Sequence, residues 1–342
     1  MSRMLMRASN VTAVYAADDG RDVPAVDDVT IEVPEGQIVG LAGESGCGKS
    51  TLGNAMAMIA NPPLYVINGT LEIEGQSIDL RTLDPNANRR HRKYRGDVVS
   101  LLPQGAMNAI SPTLKIRDLV VDVLRAHDRN YAKSDAIDLA TDRLKMLDMP
   151  TRVLDSYAHQ LSGGMKQRMV TVISTLLNPK LLIADEPTSA LDVSSQKALI
   201  EMLLAMVEKK IMSGVIFITH DLPVLSMVTD RLAIMYAGKV IENGRTEDLV
   251  HNARHPYTAA LLASVLDPTE DTRTKHVLGI PGSPPNLGNP PSGCRFHPRC
   301  RFAMDVCTTK EPATLAEGDH EFACWWAKEH PRQSVPMEVS HA

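Results

Sequence analysis

Eight consecutive residues, Gly43-Glu44-Ser45-Gly46-Cys47-Gly48-Lys49-Ser50, have the types and spacing that bind a phosphate chain. Glycines let backbone N–H groups turn inward around anionic oxygens, and the N-terminus of a following helix adds partial positive charge. Lys49 would neutralise the β- and γ-phosphates, the Ser50 hydroxyl would ligate Mg²⁺, and Thr51 is a second hydroxyl within reach. Downstream, Leu181-Leu182-Ile183-Ala184-Asp185-Glu186 reads as an apolar strand ending in two carboxylates. Such neighbours repel at a buried strand end, and a cation or a reaction must offset that cost. Asp185 would hold Mg²⁺ through water, and Glu186 is placed as general base toward attacking water. Leu161-Ser162-Gly163-Gly164-Met165-Lys166-Gln167-Arg168 opens a helix with a serine and two glycines, a second anion-binding cradle. It lies far from the first loop on a separate helical unit. The economical arrangement is two chains facing head to tail, each covering the other's nucleotide.

These residues need elements to hold them. Ile38–Ala42, Val98–Leu102, Leu181–Ala184 and Val215–Thr219 are short, almost wholly apolar runs, the pattern of parallel strands covered on both faces. Between Gln104 and Pro179 the strand signal gives way to three apolar stripes at helical spacing: Ile116, Leu119, Val120, Val123 and Leu124; Ile137, Ala140, Leu144 and Leu147; Met169, Val172, Ile173, Leu176 and Leu177. Their ordinary role is packing within a helical subdomain. Strands return at Arg231–Tyr236 and Lys239–Glu242, joined by an Ala237-Gly238 turn. The architecture is α/β. After about residue 265 the composition shifts, and residues 280–293 carry enough proline and glycine to disfavour regular helix or strand.

In this order the motifs resemble the ATP-binding subunit of an ABC transporter, over roughly residues 5 to 265. The resemblance implies a P-loop ABC ATPase core: a RecA-like sheet, an antiparallel β subdomain and an inserted helical subdomain at about 105–179. It implies further roles. Gln104 is similar to the Q-loop glutamine that bridges Mg²⁺ and the surface facing the membrane subunits. Ser189-Ala190-Leu191-Asp192 resembles the D-loop that reports across a dimer interface. His220 is similar to the switch histidine at the γ-phosphate, and Tyr15 to the aromatic residue that stacks on adenine; a lone tyrosine there is equally a packing residue. Each site would be composite, with Lys49, Ser50, Gln104, Asp185, Glu186 and His220 from one chain and Ser162 and Gly164 from the other. Gly163 and Asp192 complete the nucleotide-binding set.

Three later segments narrow the resemblance to oligopeptide/dipeptide importer subunits: His255-Pro256-Tyr257-Thr258, Gly279-Ile280-Pro281-Gly282-Ser283-Pro284-Pro285 and Cys294-Arg295-Phe296-His297-Pro298-Arg299-Cys300. The implied partners are a second ATPase subunit (a related chain or this one), two membrane permeases and an extracytoplasmic binding protein, with the ATPase on the cytoplasmic face of the membrane. Pro103-Gln104-Gly105-Ala106-Met107-Asn108-Ala109 departs from many peptide importers. Oligosaccharides and nickel chelates therefore stay open as cargo beside peptides. Residues 1–265 form the expected ATPase domain and residues 266–342 a small irregular extension.

Cys294, Cys300, Cys307 and Cys324 crowd that extension. A reducing cytosol favours a metal site over disulfides. The close C-x2-C knuckles usual for zinc are absent. Four thiols in looser spacing suit a [4Fe–4S] cluster, in agreement with some peptide-importer ATPases; zinc and no metal are the alternatives. Cys47 fills an unspecified position of the phosphate loop and is not expected as a ligand. Trp325-Trp326 could shield a cluster or simply pack the tail.

The chain has 342 residues, with 36 basic and 41 acidic side chains for a formal net charge of −5. A nucleic-acid-binding ATPase would need a basic footprint, so that rival is disfavoured and no nucleic-acid partner is expected. The basic run Arg89–Arg95 reads as a solvated face, with lipid headgroups or a membrane partner as the alternative. No stretch is long and apolar enough to span a bilayer, and the N-terminus lacks a secretory pattern, so the chain is expected to stay in the cytosol.

Overall fold

The computed structural model describes residues 3–17, 20–83, 89–264, 275–276, 279–336 and 340–341. The expected domain boundary at 265/266 lies outside them. Fourteen strands occur in the described residues: β1 (Met4–Ala16), β2 (Asp22–Pro34), β3 (Ile38–Ala42), β4 (Leu64–Ile73), β5 (Gln76–Asp79), β6 (Val99–Leu102), β7 (Leu181–Asp185), β8 (Gly214–Ile218), β9 (Arg231–Tyr236), β10 (Lys239–Arg245), β11 (Lys275–His276), β12 (Leu315–Glu317), β13 (His320–Phe322) and β14 (Ser340–His341).

The apolar runs form the centre of the main sheet, whose order is β12-β13-β10-β9-β3-β8-β7-β6. From β9 to β6 neighbouring strands are parallel, and every residue of β3, β7 and β8 is buried. Such strands are apolar on both faces because the pleat points side chains alternately into two covered layers. A second sheet, β2-β1-β4-β5, is antiparallel. It is the β subdomain that the resemblance implies; its irregular alternation, broken by bulges in β1, gives little periodic signal.

The three helical stripes become helices Ile116–His127, Lys133–Met146 and Gly163–Ser174. Their apolar faces meet in one core with Ile116, Val120, Leu124, Ala140, Leu144, Met169 and Val172. Arg143 is buried there, donating from Nη1 to the Thr175 carbonyl at 2.6 Å and from Nη2 to Asn178 Oδ1 at 2.6 Å. It ties the second helix to the end of the third.

The extension departs from the expectation of a small irregular appendage. Residues 279–293 are irregular, but β12 and β13 join the main sheet, with Phe322 opposite Glu242 and Glu321 opposite Asn243. Arg254, 2% exposed, roots the junction. Its guanidinium donates to the carbonyls of Ala327 (3.1 Å) and His330 (3.0 Å), pairs with Glu317, and lies 4.5 Å from the Phe322 ring centroid. Glu242, fully buried, accepts from Arg254 N, His255 N and His320 Nε2. A buried carboxylate is tolerated when each oxygen is paired in this way. Phe322→Ala is expected to destabilise the chain by about 3 kcal/mol through the cavity left under Arg254, seen as a lower midpoint in urea unfolding.

Candidate nucleotide site

The parallel strands end on one edge, and the residues that follow them converge there. The phosphate loop follows β3, Gln104 follows β6, Asp185 ends β7 with Glu186 next, and His220 follows β8. A crevice outside the carboxyl ends of parallel strands is where open α/β sheets bind ligands. Here it is a cavity of about 540 Å³. Ser45, Gly46, Gly48, Lys49, Ser50 and Thr51 line it on the loop side, with Gln104, Glu186, Ser189 and His220 also in its wall. Tyr15 lines it beside Val23 and Ala25.

Two glycines of the loop are required by contact. Gly43 has φ of 150°, and a Cβ there would lie 2.1 Å from the Met235 carbonyl oxygen; at Gly48, with φ of 106°, it would lie 2.1 Å from that of Ala25. No side chain fits either position. Helix Lys49–Met56 starts directly after. The buried Lys49 ammonium donates to the carbonyls of Gly43 (2.7 Å) and Glu44 (2.9 Å), which holds the charge over the mouth of the loop. Tyr15 Oη and Thr51 Oγ1 share a hydrogen bond at 3.1 Å. Cys47 is buried behind the loop, and burial pushes its thiol up from its ordinary value.

Asp185 is 6% exposed; desolvation raises its carboxyl above the usual range, while a hydrogen bond from the Ser50 hydroxyl lowers it. Its Oδ1 is buried without a hydrogen-bond partner. A buried, unsatisfied carboxylate oxygen beside a serine hydroxyl is the chemistry expected of a Mg²⁺ site, so Asp185 and Ser50 fit that ion. Glu186 adopts φ of 48°, a left-handed conformation rare for this residue type. Its carboxylate is clasped: Thr219 Oγ1 donates to Oε2 at 3.0 Å, the His220 amide to Oε1 at 3.2 Å, and His220 Nδ1 stands 2.8 Å from Oε1. Glu186 and His220 are therefore one unit, with the imidazole on the solvent side.

Ser162, Gly163 and Gly164 stand outside this cavity's lining. Ser162 caps helix Gly163–Ser174, its Oγ accepting from Met165 N at 3.3 Å. Gly164 packs so closely that a Cβ would lie 2.4 Å from Ser195 Oγ. Asp192 is also outside it and caps helix Val193–Glu208, accepting from Ser195 N at 2.9 Å and from the hydroxyls of Ser194 and Ser195; these bonds hold its carboxyl well below the usual range.

The motif reading missed contributors from the chain's second half. Leu287 lines the cavity. Tyr257, quoted above only as part of a family segment, accepts the Glu44 amide on its hydroxyl at 2.9 Å. Arg299 forks onto the Glu44 carboxylate. The rings of Tyr236, Tyr257 and Phe296 pack at centroid distances of 4.6 to 5.3 Å behind the loop. The signal that could have found them is the aromatic and arginine content of segments otherwise read as markers of kinship.

Among the described residues, no group of three or more His, Cys, Asp or Glu side chains is placed to hold a metal ion. The metal-binding character expected of the extension is thus not seen as a formed site. The thiols nonetheless act on one another electrostatically. Burial first, then the other thiols, push Cys300 and Cys324 up to about 12; Cys294 and Cys307 act on Cys300, and Cys294 and Cys300 on Cys324. The Cys294 amide donates to the Cys307 carbonyl at 2.9 Å.

Among the described residues, no helix is long and apolar enough to cross a membrane. The family model for ABC transporters matches residues 26–189, and that for the C-terminal region of oligopeptide/dipeptide transporters matches residues 241–307. The chain is 37% identical over 323 residues to the dipeptide transport ATP-binding protein DppD of Caldanaerobacter subterraneus subsp. tengcongensis, covering 94% of this chain and 96% of that one. It is 38% identical over 312 residues to the oligopeptide transport ATP-binding protein OppD of Bacillus subtilis, covering 90% and 84%. Among solved structures, an ATP-binding cassette captured as a dimer in a post-hydrolysis state with ADP and Pi superposes with a TM-score of 0.59 at 25% identity, over 71% of this chain and 99% of that one.

Residue His255 offers a pH test of the wall behind the loop. Desolvation lowers its imidazole from 6.5 to about 3, so the folded chain holds it neutral while the unfolded chain protonates below pH 6.5. Its contribution to stability is complete above pH 6.5 and is lost as pH falls toward 3, at up to about 1.4 kcal/mol per pH unit. His255→Asn keeps an acceptor for the Tyr257 amide and is expected to show a shallower loss of unfolding free energy between pH 6.5 and 4.5.

Proposed function

The chain belongs to the ATP-binding subunits of the oligopeptide/dipeptide ABC transporters and is an ABC-type ATPase; from that premise we propose that it powers peptide import. The observation that carries this is the convergence of the phosphate loop, Gln104 and the Glu186–His220 clasp on one cavity, with Asp185 behind Ser50, in a chain that also bears the C-terminal region of peptide transporters. Two permeases and an extracytoplasmic binding protein are the partners, and the chain sits against the cytoplasmic face of the membrane. Oligosaccharides or nickel chelates are the cargo alternatives; the similarity to dipeptide and oligopeptide transport ATP-binding proteins favours peptides.

Within one chain, the loop amides and Lys49 bind and orient the triphosphate, and Tyr15 stacks on adenine. Ser50, Asp185 and Gln104 would hold Mg²⁺, which would supply charge screening for the phosphoryl oxygens. Glu186 is the base, set by Thr219 and by His220, whose exposed imidazole lines the cavity and would meet the γ-phosphoryl group. The remaining face is supplied in trans: Ser162, Gly163 and Gly164 of a second ATPase present a helix N-terminus to the nucleotide, and Asp192 lies at the seam. Support comes from the position of those residues outside their own chain's cavity and from the dimeric state of a similar cassette. Residues 1–265 act as the motor and residues 266–342 as its extension.

For the cysteines we propose a [4Fe–4S] cluster over zinc. Four neighbouring thiols are soft donors, and the larger cluster asks less of them than closing on a single ion.

Glu186→Gln is expected to retain ATP binding while hydrolysis falls at least about 100-fold, with dimers accumulating on ATP in light scattering. Unchanged turnover would remove Glu186 as the base. Protein purified without oxygen is expected to carry iron and a broad absorbance near about 400 nm, both lost in Cys300→Ser; iron-free wild type would count against the cluster.

A further inference from the structure

The nucleotide cavity has a wall that none of the nucleotide-binding motifs supplies. Leu287, from the proline-rich stretch, lines it with Tyr15 and Val23. The turn that carries Leu287 is fixed locally: the Gly288 amide donates to Asn286 Oδ1 at 2.8 Å and the Asn289 amide to the Asn286 carbonyl at 3.1 Å. A Cβ on Gly288 would lie 3.7 Å from Val23 Cγ2, ordinary van der Waals contact, so this turn packs against β2.

The same extension also holds the phosphate loop from behind. Arg299 Nη1 donates to Glu44 Oε2 at 2.7 Å and Nη2 to Oε1 at 2.9 Å, while Nε is anchored on the Pro281 carbonyl at 2.7 Å. The Arg299 side chain is only 7% exposed. A buried two-point fork fixes both the place and the plane of a carboxylate, which a single ammonium contact does not. Glu44 is the residue whose carbonyl Lys49 touches, so the turn that Arg299 secures is the one on which the lysine rests.

We propose that the C-terminal extension completes the nucleotide site, with Leu287 forming apolar wall beside the adenine and Arg299 positioning the phosphate loop through Glu44. This rests on the ATPase reading of the cavity and on Tyr15 marking its base end. Leu287 brings apolar surface and no donor or acceptor, so it adds affinity for the base without reading its edge. Arg299 lies outside the cavity's lining; it is a positioning residue that acts on the phosphates through Glu44.

The two roles separate by ligand. In the full-length chain, Leu287→Ser is expected to raise the Kd for ATP about three- to tenfold while leaving the Kd for inorganic tripolyphosphate unchanged. Arg299→Gln is expected to weaken ATP and tripolyphosphate alike by about tenfold. Arg299→Lys, which keeps the charge without the fork, is expected to fold as the wild type by circular dichroism and to weaken both by a smaller factor. ATP affinity unchanged in Leu287→Ser, or tripolyphosphate affinity unchanged in Arg299→Lys, would overturn the proposal. A wild type that binds no ATP would instead overturn the ATPase reading beneath it.

Discussion

A parallel sheet buried on both faces leaves only the ends of its strands for polar chemistry. β3, β7 and β8 carry no exposed residue, so the chain can place charge only where these strands run out. At that edge the backbone must turn sharply against neighbouring carbonyls. The positions of Gly43 and Gly48, each with about 2.1 Å of room for a Cβ, show how little space the turn has. Once those glycines hold the loop, Lys49 and Ser50 follow on the first helical turn, and Asp185 arrives across the sheet with an oxygen that has no partner. Strain at Glu186 has the same origin: directly after a buried strand, its left-handed φ turns the carboxylate toward Thr219 and His220.

Much of this was legible because it is written locally. An apolar run of five residues followed by a glycine loop or paired carboxylates carries strand, turn and chemistry in one window. Val99–Leu102, Leu181–Asp185 and the three helices between them match the expected elements to within a few residues. The antiparallel sheet was harder, because bulges in β1 break its alternation. The extension was harder still. Three-residue strands such as β12 and β13 have no period to detect, and they exist because an edge of the main sheet at β10 is there to pair with.

The polar junction between motor and extension could not be read from spacing, since its partners are far apart in sequence and owe their pairing to burial. Glu242 meets His320, Arg254 meets Glu317, and Glu44 meets Arg299, all across long loops. The cysteines are a different case. Their spacing suggested a finished metal site, whereas the fold gathers the thiols into one neighbourhood without closing three of them on an ion.

The helix that opens with Ser162 explains why one chain's motifs exceed one chain's site. Its N-terminal turn is fixed internally: Ser162 satisfies the Met165 amide, and Gly164 fits against Ser195, whose own amide is capped by Asp192. Ser162 and Gly163 are nevertheless exposed. A helix start built this rigidly, with its serine and first glycine facing solvent, presents its partial positive charge outward. The cavity that needs such a charge lies elsewhere on the same molecule, open beside Lys49 and His220. In the head-to-tail pair proposed above, a second copy or a related chain would bring the two together around one nucleotide.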